Sequence, residues 1–211
     1  FDGYSQLNAF ELAGGKNTVH HTAQFVRSPR YESLLQRGDM SYQGKIMMGT
    51  TPHRRENLIN VFNMGGEVNV NLLSLGQGGG RTASNLSHLL AVGELPFGME
   101  VDPSTLTTRV GTDKHAFFKY DDDVREMGVG NAHPIVTSAG DIYTKLSIIP
   151  LLDPLRTHYQ VVRIRSGTAT REVLGTYSRN DGGITYAHSF AMPSERYAIL
   201  PFWPLEIGKT I

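Results

Sequence analysis

Glycine and proline recur along the whole chain, and this distribution constrains the fold more than any other feature. The 211 residues include 23 glycines and 10 prolines, and neither type is pooled in one linker. Because both residues interrupt regular structure with turns, this spacing favours many short strands over long helices. Patterns of period two predict strands at residues 21–26, 45–49, 88–93, 97–101, 116–120, 142–149, 159–164, 171–177 and 197–202.

Only two segments have a helical pattern, at residues 30–37 and 56–63, and each spans about two turns, so we expect short loop helices. Turn-forming residues join the predicted strands: Asp102-Pro103-Ser104 follows one of them, and Ser138-Ala139-Gly140-Asp141 separates two apolar runs. Hairpins in succession form an antiparallel meander. The sequence therefore predicts an all-β sandwich, barrel or propeller.

Charge and cysteine content exclude several functional classes. Lysine and arginine number 20, as do aspartate and glutamate, so the formal net charge is zero and we expect no nucleic-acid partner. There is no cysteine, which excludes disulfides, thiolate metal sites and cysteine nucleophiles. Histidines and carboxylates are then the strong metal ligands that remain. Ser189 is not a hydrolase nucleophile, because no Gly-x-Ser-x-Gly turn surrounds it.

Two of the eight histidines have a distinctive setting. Pro134 biases His133 towards an extended conformation at the start of a strand, and His188 stands before the apolar residues Phe190, Ala191 and Met192. They are 55 positions apart, close to one propeller blade of roughly 40 to 50 residues. Equivalent positions on successive blades would bring the two rings together near a central axis. A structural role for each histidine is the alternative.

Five segments together resemble the carotenoid cleavage oxygenases, the group of the retinoid isomerase of the retinal pigment epithelium and the apocarotenoid dioxygenases. The resemblance extends over essentially the whole chain. The segments, in order, are Phe1-Asp2-Gly3, residues 21–33, Glu94-Leu95-Pro96-Phe97 with residues 102–108, Ala132-His133-Pro134, and Ala187-His188-Ser189-Phe190-Ala191-Met192.

The resemblance implies a seven-bladed β-propeller with a non-haem Fe(II) ion on its axis, held by four histidines. Carried over by position, His133 and His188 are two of these ligands, and Glu94 is a carboxylate that orients a ligating histidine through a hydrogen bond. Neutral imidazoles suit Fe(II), and an all-nitrogen cage leaves a coordination position open. The implied reaction is cleavage of a conjugated double bond of a carotenoid or apocarotenoid by O₂.

The chain is shorter than the resemblance requires, because seven blades need about 300 residues. We therefore expect residues 1–211 to be one incomplete domain of about three to four blades, with two of the four ligands. The remainder of the propeller, or a companion protein chain, would cover the exposed strand edges. The alternative function is a catalytically inactive subunit that binds or supports a larger assembly. For the location of the protein, the cytosol, a plastid and the surface of a membrane are all compatible with the sequence.

An apolar stretch at residues 147–155 bears on how substrate reaches the protein, since carotenoids dissolve in membranes. Ile148, Ile149, Leu151 and Leu152 are its candidates for shallow contact with a membrane surface. The alternative is a buried strand that runs into a proline turn.

Overall fold

The computed structural model describes residues 5–15, 18–28, 31–32, 35–36, 71–74, 89–93, 98–108, 120–124, 128–148, 158–178, 184–185, 187–194, 196–201 and 206–207. In these ranges the chain is almost entirely β-structure, and every pair of neighbouring strands is antiparallel. The strands are β1 (Gln6–Ala13), β2 (Thr18–Phe25), β3 (Asn71–Ser74), β4 (Leu89–Val92), β5 (Gly98–Val101), β6 (Gly128–Val129), β7 (Ile135–Val136), β8 (Ile142–Ile148), β9 (His158–Ile164), β10 (Arg171–Ser178), β11 (Ile184–Thr185), β12 (Ala191–Ser194), β13 (Tyr197–Ile199) and β14 (Glu206–Ile207).

The period-two patterns located most of the longer strands. The predicted strands at 88–93, 97–101, 142–149, 159–164 and 171–177 are confirmed as β4, β5, β8, β9 and β10, and those at 21–26 and 197–202 overlap β2 and β13. The predictions at 45–49 and 56–63 lie outside the described residues, and of 116–120 only Tyr120 is described, in no strand. Residues 31–32 and 35–36 are helical, within the helix predicted at 30–37.

Strand β1 was not predicted, because its residues include the good helix formers Leu7, Ala9, Glu11 and Leu12. Pairing with β2 along its full length, from Gln6 opposite Phe25 to Ala13 opposite Thr18, makes it a strand. Tertiary pairing thus outweighs local preference here.

Strand β4 places its side chains in two different cores. Leu90 and Val92 pack in a cluster with Ile142 and Ile164, whereas Ala91, on the opposite face, packs in a cluster that includes Leu7. The sheet β3–β4–β5 therefore lies between the β1–β2 sheet and the β8–β9 sheet. Sheets of this kind stacked face to face are the arrangement of neighbouring propeller blades.

The largest sheet has the order β10–β9–β8, and both β6 and β7 pair with the free edge of β8. Gly128 and Val129 pair with Ile148 and Ser147, and Ile135 and Val136 pair with Tyr143 and Ile142. Residues 130–134 leave the sheet between β6 and β7, so the strand that pairs with this edge of β8 is interrupted. This strand break contains His133.

A buried ion pair joins this sheet to the segment before β6. The Arg171 guanidinium donates from Nη2 to Asp122 Oδ1 at 2.7 Å and lies over the ring of Tyr120, at 4.2 Å from its centre. Arg171 N–H also donates to Asp122 Oδ2, at 2.6 Å. Burial alone would raise the pKa of the Asp122 carboxyl, but these hydrogen bonds hold it below its ordinary value.

The predicted membrane-contact residues are only partly within the described ranges. Ile148 is 8% exposed and packs with Leu146 and Val162. For Ile148 the prediction of an exposed patch is wrong and the alternative of a buried strand is confirmed, because this face of β8 is covered. Ile149, Leu151 and Leu152 lie outside the described residues. Among the described segments, none is a helix with the length and apolar character needed to span a bilayer.

Candidate metal centre

Two similar loops bring His133 and His188 together. Each histidine follows a buried alanine, Ala132 at 0% and Ala187 at 2% exposure, and each precedes a strand, β7 or β12. Ala132 N–H donates to the carbonyl of His188 at 3.1 Å, and His133 forms an isolated parallel bridge with Ser189. The predicted positions at strand starts are therefore confirmed. Between the two loops the chain forms the antiparallel meander β7–β8–β9–β10, the strand pattern of one propeller blade.

The two imidazoles face each other through the same ring nitrogen. His133 Nε2 and His188 Nε2 are 2.9 Å apart, the ring centres are 4.6 Å apart, and the ring planes meet at 70°. The alanines anchor the backbone, while the His133 residue is exposed and His188 is half-buried. The loops thus fix both rings but leave their nitrogens within reach of a ligand.

This distance fits two ligands of one metal ion. Nitrogens 2.9 Å apart can each bind an ion at about 2.1 Å, with about 90° between the two bonds. That angle separates neighbouring ligands in octahedral coordination. Imidazole nitrogens are suitable donors for iron, zinc and copper. The donor atoms and their spacing therefore fit a transition metal.

The contact between the two Nε2 atoms shows which ring nitrogens must carry a proton when a metal ion binds. Without an ion, a hydrogen bond between the two Nε2 atoms needs a proton on one of them. An ion needs the lone pair of both, so each neutral ring then has to carry its proton on Nδ1. An acceptor beside Nδ1 stabilises that tautomer.

The described residues supply these two candidate ligands and no larger cluster. Within the described ranges, no group of three or more His, Cys, Asp or Glu side chains is placed to hold an ion. Glu94 lies outside the described residues. His21 and His158 belong to other contacts, because His21 Nε2 lies 2.9 Å from Asn8 Oδ1 and His158 Nδ1 lies 2.7 Å from Ser178 Oγ.

Sequence reasoning missed Asn131, which lies two residues before His133. Asn131 is 3% exposed, and its Oδ1 accepts a hydrogen bond from His133 N–H at 2.8 Å. An asparagine that bonds the backbone two residues on is a common turn device. The Asn-x-His spacing was therefore a signal that could have identified it.

Two relatives of this chain come from plants. The chain is 29% identical over 218 residues to carotenoid cleavage dioxygenase 8, chloroplastic, of Arabidopsis thaliana, covering 97% of this chain and 34% of that protein. It is also 29% identical to carotenoid cleavage dioxygenase 8 homolog A, chloroplastic, of Oryza sativa subsp. japonica, covering 99% of this chain and 36% of the rice protein. The chain thus spans about a third of the length of these relatives.

Solved structures share the fold. A crystal structure of an ACO/RPE65 chimera matches 90% of this chain and 36% of its own, with a TM-score of 0.60 and 19% identity. A crystal structure of cobalt-substituted Synechocystis ACO matches 91% of this chain and 36% of its own, with a TM-score of 0.56 and 22% identity. These similarities support the partial propeller expected from the sequence.

The family model described as RPE65, retinal pigment epithelial membrane protein, matches residues 1–210. The match covers nearly the whole chain and includes both Ala-His loops. The chain therefore belongs to the RPE65/carotenoid cleavage oxygenase family.

Proposed function

We propose that His133 and His188 are two of the ligands of a non-haem Fe(II) ion. We further propose that the complete protein uses this ion and O₂ to cleave a conjugated double bond of a carotenoid or apocarotenoid. The observation that carries the metal assignment is the 2.9 Å distance between the two Nε2 atoms. Family membership supports the reaction class, as do the names of the two plant relatives. The cobalt-substituted form of one structural neighbour supports metal binding by a protein of this fold.

The residues of this chain have a positioning role in the proposed reaction. The backbone bond from Ala132 to the His188 carbonyl holds the two loops at one separation, so the rings need little reorganisation when they bind an ion. Glu94 is the residue that we propose to accept a ring N–H and so to keep a ligating nitrogen free of its proton. A bound Fe(II) ion would supply redox chemistry with O₂ that the side chains themselves do not offer.

The chain would supply one part of a single propeller domain. We propose that the other two ligands and the remaining blades belong to further polypeptide of the same protein or to a companion chain. Closure by those blades would pair the strand edges that a partial propeller leaves exposed. The same blades would form the apolar tunnel that holds the polyene.

The test is metal analysis of the full-length protein with single substitutions. We expect wild type to contain about one iron per propeller, and we expect His133→Ala or His188→Ala to weaken iron binding at least about 100-fold and to abolish turnover of a carotenoid. His158→Ala is the matched control, because that ring lies at the surface and contacts Ser178. It should retain iron and activity.

Full iron occupancy in either variant would contradict the ligand assignment. Wild-type protein without iron after anaerobic reconstitution would instead favour the inactive binding or structural subunit.

A further inference from the structure

Asn131 holds the point at which the chain leaves the sheet before His133. Its side chain is 3% exposed, and its Oδ1 accepts from His133 N–H at 2.8 Å. This bond closes a turn over Asn131, Ala132 and His133 and restricts the backbone torsions that direct the imidazole. The next backbone contact, from Ala132 to His188, lies within the same turn. The two bonds together orient His133 relative to His188.

The other end of the same carboxamide faces a cavity. Asn131 Nδ2 is buried and has no hydrogen-bond partner among the described residues. Asn131 lines a cavity of about 30 Å³ together with Gly130, Pro134, Thr144 and Leu146. The cavity lies between the strand break and the neighbouring sheet, because Leu73 of β3 and Val92 of β4 line it as well. This volume can hold one water molecule, the partner that a buried amide N–H requires.

We propose that Asn131 is a positioning residue for His133. Its oxygen fixes the His133 backbone, and its amide group binds a water in the adjoining cavity. This inference rests on the proposed function insofar as the oriented ring is a metal ligand. Few side chains could replace it, because aspartate would place a charge in this cavity and alanine would leave His133 N–H without its acceptor.

The experiment compares Asn131→Ala, Asn131→Ser and Asn71→Ala in the full-length protein. Serine retains an oxygen that can accept from the backbone two residues on. Asn71 is the matched control, because its Oδ1 accepts from Leu72 N–H at 2.9 Å in β3, away from the histidines. One readout is amide hydrogen exchange at residues 131–135 in the metal-free protein. The other is the affinity for Co(II) and the absorption spectrum of the cobalt-loaded protein.

In Asn131→Ala we expect the His133 amide hydrogen to exchange with solvent at least about fivefold faster than in wild type. We also expect this variant to bind Co(II) about 10-fold to 100-fold more weakly, with a changed spectrum. Asn131→Ser should recover part of both, because it keeps the acceptor for His133 N–H but lacks the amide group, and Asn71→Ala should match wild type. Unchanged exchange in Asn131→Ala, or unchanged cobalt affinity and spectrum in a metal-binding protein, would overturn the inference.

A third outcome separates the two proposals. If wild type binds no metal while Asn131→Ala still accelerates exchange at His133, the metal assignment fails and the positioning of His133 by Asn131 stands.

Discussion

Lys145 lies in the middle of β8, in a setting that lysine rarely occupies. The residue is 2% exposed, and Nζ has no hydrogen-bond partner among the described residues. The ammonium group lies near the ring of Tyr159, 5.5 Å from Nζ to the ring centre. Because burial removes water from the ammonium group, it lowers the pKa of Lys145 to about 8. Replacing Lys145 with methionine should therefore stabilise the protein.

The magnitude follows from the pKa. A fall of the pKa from 10.5 to about 8 means that the protonated amine destabilises the folded state by about 3 kcal/mol. Loss of the contact with Tyr159 would offset about 1 kcal/mol. At pH 7 we expect Lys145→Met to raise the free energy of unfolding by about 2 kcal/mol.

The pH dependence has a definite sign. Between pH 8 and 10.5 the unfolded chain holds the Lys145 proton and the folded chain does not, so wild-type stability rises with pH across this window. Below pH 8 the penalty is present in full. The difference between Lys145→Met and wild type should therefore shrink as the pH rises from 7 to 10.

Equilibrium urea unfolding at pH 7 and pH 10 measures both effects. Arg165→Met is the matched control, since that cation is 61% exposed and its loss should change stability by less than about 1 kcal/mol. A loss of more than about 1 kcal/mol in Lys145→Met at pH 7 would refute the reasoning, as would a difference that does not change with pH. Either result would mean that Nζ has an acceptor.

Two further predictions concern a buried ion pair and the packing of β5 on β4. Asp122→Ala should cost about 3 to 5 kcal/mol in urea unfolding, because it leaves the 3%-exposed Arg171 side chain without its carboxylate. Glu172→Ala, which breaks the pairs of a solvent-accessible carboxylate with Arg163 and Arg165, should have a much smaller effect. An equal effect of the two would contradict the distinction between buried and exposed pairs. Gly98→Ala should lower the midpoint of thermal unfolding, because a Cβ would lie 2.8 Å from Leu90 Cγ and 2.9 Å from a backbone oxygen. An unchanged midpoint would show that β5 can shift away from β4.

Much of the candidate site was accessible from local patterns. Pro134 after His133 and the apolar residues after His188 indicated strand starts, and the structure places the histidines two and three residues before β7 and β12. The Asn-x-His turn was equally local and was overlooked. Glu94 stays a prediction, because it lies outside the described residues.

Other features could not be predicted, because they depend on distant residues. No local pattern shows that β1 is a strand, because it becomes one by pairing with β2. Nor does any local pattern show that Lys145 is buried, because its burial depends on what packs against its face of the sheet. The apolar character of Ile148 fitted a surface patch and a buried strand equally well, and packing with Val162 decided between them.

Turn residues and period-two patterns were enough to indicate the β-rich class, and the local settings of His133 and His188 indicated them as candidate ligands. The meeting of these two rings depends on tertiary packing. Their 2.9 Å contact depends on the backbone bond between Ala132 and His188 and on a break between β6 and β7. The physical reason is that turns and alternation depend on neighbouring residues, whereas the separation of two loops depends on how intervening strands pair and pack.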